Sequence, residues 1–103
     1  MYRFKSKADG DLIMMAPVGD QILRILGREP AAKGIIEVAA LPDAIRALEE
    51  AIAAAELARR DTRRADSDDE RAAEAVGLAQ RAWPMLEMMR RSLAERAHIV
   101  WGV

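Results

Sequence analysis

Apolar and charged residues alternate where the sequence opens, with Tyr2 and Phe4 set against Arg3 and Lys5. A period of two places the rings on one face of a strand and the cations on the other, which predicts a first β-strand. Asp9-Gly10 carries turn chemistry, because glycine takes positive φ without a Cβ clash, and the apolar run Leu12-Ile13-Met14-Met15-Ala16 behind it predicts a second strand. The two form a β-hairpin. Its second strand is apolar on both faces, as in strands covered from both sides. Pro17 ends that run, and Gly19-Asp20 opens a short helix through Gln21 to Leu26, with Asp20 placed to accept orphan amides and Gly27 to stop it. Two turns are marginal alone, so packing must hold this helix. Arg28 to Leu41, which contains Pro30, Gly34 and the apolar Ile35-Ile36, reads as an ordered loop with room for a short extended piece.

Pro42 suits a first helical position and Asp43 the positive end of the helix dipole. Ile45, Leu48, Ile52 and Ala55 then recur at steps of three and four beside a stripe of alanines, which predicts a long helix able to pack closely. The pattern fades over 59–71, a mixed run of arginine and aspartate that reads as an exposed or partly disordered connection. Ser67 and Glu70 have the spacing of a capping box and open a second long helix. On its wheel Val76, Ala79, Ala82, Trp83, Leu86, Met89, Leu93 and Ala97 share one arc, Met88 lies near the polar side, and Pro84 falls outside the apolar arc. A kink at Pro84 is favoured over a break, because Trp83 is a poor N-cap. The run His98-Ile99-Val100-Trp101-Gly102-Val103, rich in β-branched and aromatic residues, predicts a third strand that joins the hairpin. These elements make an α+β fold over residues 1–103 as a single domain: a small antiparallel sheet, of N-terminal hairpin plus C-terminal strand, packed against a two-helix hairpin with one additional short helix.

Composition changes this picture in three ways. The hydrophobic fraction is 51 %, yet alanine makes up roughly two-fifths of it and buries little area per residue, so the core is thin or completed by a partner. A net charge of −1, from 16 basic and 17 acidic residues, lacks the electrostatic footprint of a nucleic-acid binder. With no cysteine there is neither a disulfide nor a thiolate zinc site, and with no signal peptide or membrane-spanning run the expected location is cytoplasmic.

Candidate chemistry is sparse. Gly27 to Gly34 exposes glycine amides, and Arg28, Glu29, Lys33 and Gly34 are its candidate anion or ligand residues. It is not a Walker loop, since the lysine precedes the glycine and no serine or threonine follows. Asp66, Asp68 and Glu70 imitate the start of a calcium loop, but Arg71 stands where the sharp turn needs glycine and Gly77 where a bidentate glutamate is required. His98 is the single histidine and is expected to be a strand-end or partly buried imidazole. The arginines at 59, 60, 63 and 64 lack aromatic interleaving and read as a solvated helix end. No motif marks a serine nucleophile or a convergent carboxylate pair, so no catalytic residue, metal or cofactor is expected.

Taken together, Tyr2-Arg3-Phe4-Lys5-Ser6-Lys7, Gly19-Asp20, the segment from Gly27 to Ile36, Arg81-Ala82-Trp83-Pro84 and Val100-Trp101-Gly102-Val103 resemble an uncharacterised bacterial family, domain of unknown function eighteen-forty. That resemblance implies a single-domain bacterial protein and carries over no catalytic residue. The functional expectation is an interaction protein that works through a second copy of itself or another protein, across a surface that includes Met15, Val100 and Trp101. The alternative is a small-anion binder using the Arg28 to Gly34 loop.

Overall fold

Tyr2, Phe4 and Ser6 turn one face of the first strand toward a layer of helices, as the period of two requires. The computed structural model describes the backbone of residues 1–64 and 69–103 and the side chains of residues 1–58 and 77–103. Within them the chain forms β1 (Tyr2–Ser6), β2 (Asp9–Met14), α1 (Ala16–Ile25), β3 (Gly34–Ile36), α2 (Leu41–Arg64), α3 (Asp69–Ala94) and β4 (Ile99–Trp101), with a 3-10 turn at Val38–Ala40 leading into α2. The architecture is α+β: one antiparallel sheet in the order β2-β1-β4-β3, with α2 and α3 as a hairpin on its inner side.

β3 is a fourth strand where a loop was expected. Three residues are too few to show a period, and only the pairing Ile36↔Ile99, Ile35↔Val100 and Gly34↔Trp101 makes them a strand. The hairpin turn lies at Lys7-Ala8, and Asp9-Gly10 belongs to β2. Between Phe4↔Leu12 and Ser6↔Asp9 the register shifts by one, so Gly10 falls at an irregularity in the ladder, another place that suits glycine. The following helix begins at Ala16, earlier than expected. Met15 is its N-cap without a side-chain bond and Pro17 sits in its first turn, so the last two residues of the expected strand are the entry to α1. Asp20 is inside the helix and accepts the Tyr2 hydroxyl. Gly27, at φ 80°, stops α1 as expected, with the Arg28 amide donating to the Leu23 carbonyl at 2.8 Å.

The inner sheet residues Phe4, Met14, Ile36, Ile99 and Trp101 bury themselves against Ile22 and Leu23 of α1, Leu41 and Leu48 of α2, and the middle of α3. Each large side chain removed from water contributes about 1.5–3 kcal/mol. Helix α3 runs through Pro84 without a break, and the proline faces out. Two wheel assignments are corrected. Met88 is 1 % exposed, because α3 is covered on one side by α2 and on another by β2, which widens its buried arc. Trp83 is 43 % exposed, with the Arg90 guanidinium 5.9 Å from its ring centroid. The expected connection at 59–71 is helical backbone over 59–64 and 69–71. Its tip, with the capping-box serine, lies outside the described residues.

Candidate functional site: the uncovered sheet face and its rim

Side chains that alternate with the core residues emerge on the opposite side of the sheet. Arg3 and Lys5 come from β1, Ile13 from β2, Ile35 from β3 and Val100 from β4. Ile13 is 52 % and Ile35 39 % exposed, so no described residue covers this face. β1 is a basic centre line flanked by apolar residues on both sides.

At the end of the sheet, the Lys7-Ala8 turn faces the connection from α3 to β4. Between them lies a groove of about 660 Å³ lined by Lys5, Lys7, Glu95, Arg96, His98 and Val100, with Ala8 and Ala97. Arg96 holds φ 54° at the end of α3, where its amide donates to Leu93 and that of Ala97 to Ser92. This is the position glycine usually takes, and a side chain in the left-handed region costs roughly 1–2 kcal/mol. His98 Nδ1 accepts the Val38 amide at 3.0 Å, which leaves the proton of the neutral ring on Nε2. His98 stands just before β4 rather than within it, and it is exposed, not partly buried. The Lys5 ammonium donates to the Val103 carbonyl oxygen at 3.0 Å, while Lys7 and Arg96 have no ion-pair partner among the described residues. Ser6 also lines the groove, and its hydroxyl meets that of the fully buried Ser92 at 2.7 Å.

A second, apolar hollow of about 270 Å³ opens beside β2, one of the two edge strands. Leu12, Ile13, Met14, Met15 and Val18 line it with Arg81 and Pro84 of α3. Met15 is 63 % exposed here.

The sequence-derived candidates fall apart in space. The Arg28 guanidinium donates to the Ile35 carbonyl at 2.9 Å and ties the loop to β3. Lys33 and Glu29 are exposed, and neither Arg28 nor Lys33 lines the groove or the hollow. What the loop does hold is Trp101: Nε1–H donates to the Ala31 carbonyl at 3.0 Å, and the indole lies across Gly34. Trp101 is only 3 % exposed, so of the three expected surface residues it offers no area, Val100 is half-buried, and Met15 is open. The basic groove is what sequence reasoning missed. The alternation at β1 puts Arg3 and Lys5 on one face, but nothing in the sequence brings Arg96 and His98 to Lys7.

Among the described residues there is no cluster of three or more potential metal-ligating side chains, and no helix is long and apolar enough to cross a membrane. A model of the family described as domain of unknown function (DUF1840) matches residues 1–101, and the chain belongs to that family. No curated protein and no solved structure matches it.

Proposed function

We propose that this member of the DUF1840 family is a cytoplasmic protein that acts through protein contacts without catalysis of its own, pairing with a second copy along β2. The supporting observation is the combination on one edge of a six-residue strand and the exposed apolar residues Ile13 and Met15 beside the apolar hollow. An edge strand presents unpaired backbone donors and acceptors. A second β2, related by a two-fold axis, offers the same groups in reverse order, so one contact satisfies both copies and closes. Side chains from the partner then enter the hollow against Leu12, Val18 and Pro84. A ligand site on the Arg28 to Gly34 loop finds no comparable support, since Arg28 is engaged by β3 and the loop packs on Trp101.

Sedimentation equilibrium tests the pairing. The parent chain is expected to be a dimer at high micromolar concentration, and the double variant Ile13→Asp with Met15→Asp a folded monomer. A parent that is monomeric at that concentration overturns the reading.

A further inference from the structure

We infer that the groove between the Lys7-Ala8 turn and the Glu95 to His98 connection is a binding site for a small organic anion, one that carries a phosphate or carboxylate head. This goes beyond assembly along β2 and uses a different part of the molecule.

Three observations converge on it. The groove, at about 660 Å³, falls within the size range of small-molecule sites. Its wall carries three fixed cations, Lys5, Lys7 and Arg96, against one carboxylate, Glu95, in a chain whose net charge is −1. Lys7 and Arg96 have no ion-pair partner among the described residues, so their charge is available to an incoming anion. The last observation is the backbone at Arg96. Glycine would hold φ 54° with less strain, yet the residue there is the one whose guanidinium meets a phosphate or carboxylate with two parallel hydrogen bonds. Strain of this kind at the wall of a cavity points to use of the side chain.

The remaining lining completes a recognition site. The Val38 amide fixes His98 with its Nε2 protonated, which makes the neutral ring a donor. Ala8, Ala97 and Val100 supply an apolar wall for the body of the ligand. Lys5 is anchored on the Val103 carbonyl with two ammonium protons to spare.

Amide NMR of the full chain at low ionic strength, titrated separately with inorganic phosphate, pyrophosphate and succinate, tests this. The expected result is saturable shifts confined to the groove lining, Lys5 to Ala8, Glu95 to His98 and Val100, with at least one probe, and the preferred probe distinguishes a phosphate head from a carboxylate. Arg96→Gly separates recognition from folding, because glycine suits the left-handed turn. It is expected to melt at or above the parent temperature and to weaken binding at least fivefold, whereas Lys33→Ala leaves binding unchanged. Shifts that never saturate, shifts that chloride reproduces, or an Arg96→Gly chain that binds as the parent does would overturn the assignment.

Discussion

The indole of Trp101 lies across Gly34 of the neighbouring strand, where an added Cβ would stand 2.3 Å from ring atom Cζ2. The ring cannot retreat freely. It packs against Phe4 at a centroid distance of 5.5 Å and is held by the Ala31 carbonyl. Gly34→Ala is therefore expected to cost about 1–3 kcal/mol through overpacking. Urea denaturation followed by circular dichroism measures it, and a loss below about 0.5 kcal/mol would mean that the ring has room.

Met88 and Trp83 make a paired comparison in which the smaller side chain matters more. Met88 is 1 % exposed within the core, so Met88→Ala is expected to cost about 2–5 kcal/mol. Trp83 is 43 % exposed and loses only its partial burial and the Arg90 contact when truncated. Equilibrium unfolding of Trp83→Ala should show a smaller loss than Met88→Ala. The reverse order would return Trp83 to the core.

The serine pair predicts non-additivity. Ser92 is fully buried and its hydroxyl meets that of Ser6 at 2.7 Å, so Ser6→Ala strips a buried hydroxyl of this partner and should cost about 1–3 kcal/mol. Ser6→Ala with Ser92→Ala removes both groups, and its cost in the same assay should fall below the sum of the single losses. Simple additivity would show that the two hydroxyls do not depend on each other.

Tyr2 sets a high-pH limit. Its hydroxyl donates to Asp20, and that bond, followed by desolvation and the aspartate charge, raises its pKa above the usual value. An unfolded tyrosine titrates near 10, so above that pH the unfolded chain loses this proton before the folded chain does. The stabilisation is complete below about pH 10 and is lost as pH rises through the raised native value. Unfolding free energies between pH 8 and 11 should fall more steeply for the parent than for Tyr2→Phe. Equal slopes would mean that the bond is absent in solution.

Why some of this is legible in the sequence and some is not follows from how local each signal is. Tyr2 and Phe4 announce β1, and Ile45, Leu48 and Ile52 announce α2, because the period sits within a few residues and one face is buried. The entry to α1 is ambiguous for the opposite reason. Met14-Met15-Ala16 suits a strand or a helix, and the chain changes from one to the other within it. β3 has no local signal and exists because β4 pairs with it. Met88 escapes the wheel because a wheel assumes one buried face, whereas α3 meets a helix and a sheet. The groove of Lys7, Arg96 and His98 joins residues about ninety positions apart, and only the pairing of β1 with β4 brings them together.

That pairing also orders the assembly of the molecule in time. Phe4 is partnered by Trp101, 97 positions later, and β3 reaches the sheet only through β4. The β1–β2 hairpin and the α2–α3 hairpin are local and can form as soon as their own residues leave the ribosome. The sheet must wait. Until Ile99 to Trp101 emerge, β1 has one open edge, β3 has no partner strand, and the groove has one wall. The sheet is thus completed by β4, the strand through which β3 is joined to β1.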